Sequence, residues 1–109
     1  MTDAANQLES LKRICPGAEL RREGGNAIAY LPDFTFLAGE QSVTMDLLLV
    51  PQAHSGYVTR LFFRAQLPRG QNWAAHTVCG EMWWAPSWKD VQPNQPWISM
   101  LAGHLQAVA

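Results

Sequence analysis

VTMDLLLVPQAHSGYVTRLFFRA, residues 43–65, decides the architecture of this chain. From Val43 to Val50 the apolar residues alternate. Val43, Met45, Leu47 and Leu49 share one face, while Thr44 and Asp46 begin the other, which is the two-residue period of a strand. Pro51 to Gly56 is rich in turn formers. Tyr57 to Ala65 then resumes the alternation, with Tyr57, Leu61 and Phe63 facing one way and Arg60, Phe62 and Arg64 the other. Two strands across one turn form an antiparallel pair, and Asp46 is expected to meet Arg60 or Arg64 across it.

Upstream, Ala18 to Glu23 and Ala27 to Leu31 flank Gly24-Gly25-Asn26, the signature of a hairpin turn. Pro32-Asp33 is expected to break the second run, with Phe34 to Leu37 continuing it. Before this pair, Leu8, Leu11, Ile14 and Cys15 recur at helical spacing, so a helix is expected from a cap at Thr2 or Asp3 to about Ile14, stopped by Pro16-Gly17. Near the other end Trp97, Leu101, Leu105 and Val108 form one apolar stripe, with His104 at its border. Asn94 or Gln95 is the expected cap of that helix and Pro96 its first residue. The segment from Leu67 to Gln95 shows no regular period. It contains Pro68, Gly70, Gly80, Pro86 and Pro93 and four tryptophans, and reads as a long irregular stretch packed back on the body. The fold class is therefore α+β: an N-terminal helix, a four-stranded antiparallel meander, a Trp-rich irregular segment and a C-terminal helix, with the helices covering one face of the sheet.

Bulk properties narrow the function. A chain of 109 residues suits one domain spanning its whole length, and 48% hydrophobic against 16% charged residues supplies a core. A net charge of -1 offers no basic field for nucleic acid or an anionic membrane, so neither is expected as a partner. The polar start, MTDAANQLES, lacks the apolar core of an export signal, and no apolar run is long enough to span a bilayer. A cytoplasmic location is expected, with Cys15 and Cys79 as free thiols. No phosphate loop or paired-carboxylate motif is visible, and no cofactor is expected.

Chemistry concentrates in HTVCGEMWWAPSW, His76 to Trp88. Cys79 next to Gly80 is a candidate nucleophile exposed on a sharp turn. His76, Thr77 or a backbone N–H near Gly80 is the candidate oxyanion donor, and His76 the candidate thiolate partner. Trp83, Trp84 and Trp88 are candidate partner-binding residues. Against these stand plainer readings: free cysteines are commonly buried and tryptophans commonly pack. His76-x-x-Cys79 is half of a zinc-like spacing, but no second paired cluster accompanies it, so no metal site is expected. A Cys79–His104 hydrolase dyad is a further reading of the same residues. Lys89-Asp90 reads as a solvated pair, or as an acid close to the candidate nucleophile.

The order of elements resembles the ubiquitin-conjugating (UBC-like) fold, in particular its compact prokaryotic branch. Leu47 to Pro51, Gly56-Tyr57 and Leu61-Phe62-Phe63 are similar to that family's third strand, turn and fourth strand. Cys79-Gly80 through Trp84, Pro86 and Trp88 resembles its cysteine stretch followed by a Trp-Pro element, and His104-Leu105 resembles a His-Leu pair of some members. The family's usual His-Pro-Asn tripeptide is absent, and His76-Thr77-Val78 stands in its neighbourhood. The resemblance implies a protein that accepts a ubiquitin-like protein on Cys79 as a thioester from an activating enzyme. It equally implies a non-catalytic UBC-like module or adaptor that holds either protein through its Trp-rich face. A small immunity or adaptor protein outside the family, gripping a partner with its tryptophans, is the third reading.

Overall fold

Two-residue turns build the sheet. The computed structural model describes residues 4–89 and 91–109. Strands β1 (Glu19–Glu23) and β2 (Asn26–Ala38) join at Gly24-Gly25, and β2 joins β3 (Gln41–Val50) at Gly39-Glu40. These four turn residues have φ of 58°, 83°, 57° and 76°. That left-handed backbone is what a two-residue hairpin needs to follow the sheet's twist. The third turn, Ser55-Gly56, closes an isolated His54–Tyr57 bridge after β3. This bridge shortens the expected second strand to β4 (Arg60–Phe63), which pairs with β3 from Val50↔Arg60 to Leu47↔Phe63.

The irregular segment expected from Leu67 to Gln95 contains a hairpin instead. Strands β5 (Ala74–Val78) and β6 (Glu81–Ala85) pair antiparallel, and β6 joins β4. The sheet thus has six strands rather than four, ordered β1-β2-β3-β4-β6-β5. Ala74–Val78 hid its strand character because Ala-Ala-His-Thr-Val carries almost no polar alternation. Strand β2 also runs through Pro32-Asp33. The register shifts between Leu31 and Phe34, Asp33 takes a φ of 47°, and its N–H donates to Asp46 Oδ1 at 2.9 Å. A bulge accommodates the proline that would otherwise end the strand. Asp46 is engaged there and by the Tyr30 hydroxyl at 2.9 Å, not by Arg60 or Arg64. Arg64 pairs with Glu81 at 3.5 Å instead.

Helices α1 (Ala4–Lys12) and α2 (Trp97–Leu105) cover one face of the sheet. Beneath them lie Leu31, Phe36, Leu47, Leu49, Leu61 and Phe63, packed with Leu8, Leu11, Trp97, Met100 and Leu101. Helix α1 ends before Ile14, which is exposed. The expected cap at Thr2 or Asp3 lies outside the described residues. Pro96 flanks α2 rather than opening it, and the first helical N–H, that of Trp97, donates to Gln7 Oε1 of α1 at 2.8 Å. A side chain of one helix thus satisfies a donor that the other leaves open. Leu101 is fully buried at this junction, so Leu101→Ala should cost roughly 2–5 kcal/mol in urea unfolding. A loss well under 1 kcal/mol would mean that α2 does not seal the sheet.

The opposite face is buried too. The unbroken apolar run Leu47–Val50 points Leu48 and Val50 there, beside Ile28 and Phe62. Val78, Trp83 and Ala85 of the β5–β6 hairpin complete this second cluster. The hairpin joins β4 through the single register pair Phe63↔Trp84 and curls back over the sheet. Its tip meets the β1–β2 hairpin, with Arg21 Nη1 3.4 Å from Glu81 Oε1 and the Cys79 N–H donating to Glu23 Oε1 at 3.1 Å.

Candidate functional site

Cys79 and Gly80 form the β5–β6 turn, between the paired residues Val78 and Glu81. Their φ values of 51° and 78° are those of a two-residue turn in which both central residues are left-handed. Gly80 adopts this without strain, whereas Cys79 carries a Cβ through it. The thiol is half-buried and donates weakly to the Arg22 carbonyl at 4.0 Å. Burial raises its pKa, Glu23 raises it further, Arg21 opposes and Glu81 adds to the rise. An activated nucleophile needs the reverse, a cationic or donor-rich setting that favours thiolate. The turn prefers asparagine at this position. Cys79→Asn should therefore keep the fold and stabilise it by about 0.5–1 kcal/mol. Destabilisation by Cys79→Asn in urea unfolding would mean that the thiol packing outweighs the backbone preference.

His76 is placed elsewhere. It sits opposite Trp83 in the β5–β6 register and packs edge-on against Phe62 and His54, at ring-centroid distances of 5.6 and 6.0 Å. No hydrogen bond joins it to Cys79 among the described residues. Burial, then the charges of Arg60 and His54, hold its pKa below the ordinary histidine value, and its buried Nε2 has no partner. The structure therefore does not assemble the expected His76–Cys79 pair. Strand alternation turns His76 inward while Cys79 rides the turn.

The three candidate tryptophans separate. Trp83 is fully buried, with Tyr30 edge-on at 6.5 Å and the Arg64 guanidinium 4.6 Å from the indole centroid. It is core, not surface, because the β5–β6 hairpin folds that face inward. Trp84 is half-buried beside Phe63 on the other face. Trp88 is 38% exposed, and its Nε1–H donates to the Gly103 carbonyl of α2 at 3.0 Å. Trp88 borders a groove of about 220 Å³ with Tyr57, Val58, Thr59, Lys89 and Val91. Val58 is itself 44% exposed. Tyr57 and Val58, expected within the second strand, lie before β4 and line the groove instead. Asp90, the expected partner of Lys89, lies outside the described residues.

His104 belongs to neither Cys79 nor the surface. It is buried under α2, its Nε2 2.9 Å from Thr59 Oγ1, and Thr59 donates to the Val91 carbonyl at 2.7 Å. Thr59 has one proton and gives it to Val91, so His104 donates to Thr59 through Nε2–H. Burial, then the Arg60 charge, depresses its pKa to about 4. The hydrolase dyad is thereby set aside, since His104 lies on the helix-covered side of the sheet and Cys79 at the far hairpin tip.

Comparison with family models, with curated proteins and with solved structures returned no match. Among the described residues, no group of three or more His, Cys, Asp or Glu is gathered as for a metal ion, and no helix is long and apolar enough to cross a membrane.

Proposed function

We propose that this chain is a non-catalytic binding module of UBC-like character, in which the Trp88 groove receives an extended segment of a ubiquitin-like protein or its activating enzyme. The observation that carries this reading is the presentation of Trp88. Its indole is pinned to Gly103 by a hydrogen bond, half-exposed, and set beside exposed Val58 and the cationic Lys89. An indole already held in place offers apolar area without losing rotamer freedom on binding, which is how aromatic anchors contribute to affinity. The helix, meander and C-terminal helix supply the frame that the UBC-like part of the reading rests on.

The conjugating reading, with a thioester on Cys79, keeps one observation in its favour. Cys79 is half-exposed at a hairpin tip while Cys15 is buried. One experiment separates the two: incubation with a cognate activating enzyme, ATP and the ubiquitin-like protein. The module reading expects association without a reductant-sensitive adduct, weakened tenfold or more by Trp88→Ala and unchanged by Cys79→Ser. A larger adduct that vanishes with reductant, is lost or becomes a stable ester in Cys79→Ser, and survives Cys15→Ser would establish conjugation instead. In that case His76→Ala should slow transfer on the order of a hundredfold if it serves the oxyanion. Association unaffected by Trp88→Ala would overturn the groove.

A further inference from the structure

The β5–β6 hairpin is attached as a flap is. Among the described residues one register pair, Phe63↔Trp84, joins it to the rest of the sheet. Its tip is held by two contacts near the surface, the Cys79 N–H on Glu23 Oε1 and Arg21 Nη1 3.4 Å from Glu81 Oε1. Exposed ion pairs of this kind hold weakly. Closed, the hairpin lays Val78, Trp83 and Ala85 over Ile28, Leu48, Val50 and Phe62.

Three nitrogen bases from three elements meet beneath it. Arg60 of β4 is 5% exposed and has no carboxylate within 4.0 Å among the described residues. Its guanidinium carbon lies 4.1 Å from the centre of the Tyr57 ring and 5.7 Å from that of Phe62. His54, from the turn after β3, and His76, from the hairpin itself, stand edge-on to the same Phe62 ring at 5.2 and 5.6 Å. The two imidazoles are 6.0 Å apart. His76 Nε2 is buried without a partner, while His54 Nδ1 lies 2.7 Å from the Ser55 hydroxyl. Among the described residues the one carboxylate acting on the pair is that of Glu23 in β1, which favours a protonated His54. Tyr57 turns its ring to Arg60, and Trp83, opposite His76 in β6, brings no titratable group.

A proton added to His76 in the closed hairpin would give Nε2 a hydrogen with no acceptor, in an enclosed space beside Arg60. Arg60 cannot withdraw, since β4 lies inside the sheet, and His54 is held in its bridge to Tyr57. His76 can withdraw, because it rides the hairpin. We propose that the β5–β6 hairpin is a pH-operated flap: protonation of His76 together with His54 drives it off the sheet and uncovers the apolar face of Ile28, Val50 and Phe62. Burial first, then the charge of Arg60, holds both rings below their ordinary pKa while the flap is closed. Opening returns them to water and to a value near 6.5. The open flap therefore binds protons more readily, so closure is fully favoured above that value and is lost as pH falls through it. A groove of about 300 Å³ along Glu23, Val50, His54 and Thr77 gives water and protons a way to His54. This device does not depend on the partner proposed for the Trp88 groove.

The test follows amide exchange of the full chain at pH 7.5, 6.5 and 5.5, each rate compared with its intrinsic value to give a protection factor. Protection of β5 and β6 should be lower than that of β2 and β3 at every pH. Between pH 7.5 and 5.5 it should fall by about tenfold for each ring that stays neutral until the flap opens. His104→Gln should leave this fall unchanged, because the flap opens without exposing that histidine. The double variant His54→Phe, His76→Phe, which keeps two rings against Phe62, should lose the fall. Glu23→Gln, which keeps an acceptor for the Cys79 N–H, should retain it. The flap is overturned by protection of β5 and β6 that is flat with pH, or that equals that of β2 and β3, which would make the opening global. A fall that persists in the double variant, or that Glu23→Gln abolishes, also overturns it, the last by making the tip contact the sensor. Ring titration of His54 and His76 by NMR needs no variant, and pKa values at or above the ordinary one for both would overturn it as well.

Discussion

Trp83→Ala is expected to destabilise the protein by about 3–5 kcal/mol, and Trp88→Ala by roughly 1 kcal/mol or less. Trp83 has no exposed surface and fills the space between Ile28, Leu48, Phe62 and Val78. Truncation leaves a ring-sized cavity and removes the Tyr30 edge contact and the Arg64 cation–π contact. Its Nε1–H is buried without a partner, so no hydrogen bond is lost with the ring. Trp83→Phe should for that reason recover much of the stability. Trp88, at 38% exposure, loses one hydrogen bond to a carbonyl that water can reach in its place. Urea unfolding of the two variants checks this. A loss under about 1 kcal/mol for Trp83→Ala would mean that the β5–β6 hairpin does not close over the sheet in solution.

Mild acid is expected to weaken the fold through His104. Its folded pKa, about 4, lies below the unfolded value near 6.5. The unfolded chain therefore binds the proton more readily, and stability falls as pH drops through that window. The contribution is fully present above the unfolded pKa. About 1.4 kcal/mol of it is gone at pH 5.5, and about 3 kcal/mol once pH passes below 4. His54 and His76 shift in the same direction and steepen the slope. Denaturant midpoints between pH 8 and 5.5, above the carboxylate range, isolate the histidines. His104→Gln, which can still donate to Thr59, should flatten the dependence. An unchanged slope in that variant would place the acid sensitivity elsewhere.

The sheet's centre was legible because β3 pairs a clean alternation with the run Leu47–Val50, and hairpin turns advertise themselves through glycine. The β5–β6 hairpin was not, because Ala74–Val78 carries almost no polar alternation to mark a strand before the Cys79-Gly80 turn. Its Trp83-Trp84 pair also hides which ring faces in. In a strand these neighbours must diverge, and register alone assigns Trp83 to the interior. The same rule turns His76 from Cys79. Arg60 was expected to meet Asp46 across the strands, and its burial was not legible because an arginine in a strand is ordinarily a solvent-facing residue. Only the coil of the sheet, which has no local signature, encloses it.

The hairpin that carries Cys79 is tied to the rest of the sheet by one register pair on one side and by its tip on the other, where Glu23 meets Cys79 across 56 residues of chain. Contacts so distant in sequence, with so little pairing beneath them, form late in folding and part early. Amide exchange should accordingly release β5 and β6 before β2 and β3, as a cooperative unit that opens while the helices stay seated. Each such opening bares the inner face of Phe62, His54 and His76 without dissolving the molecule. The rate at which the hairpin breathes then sets how fast anything buried beneath it can enter or leave.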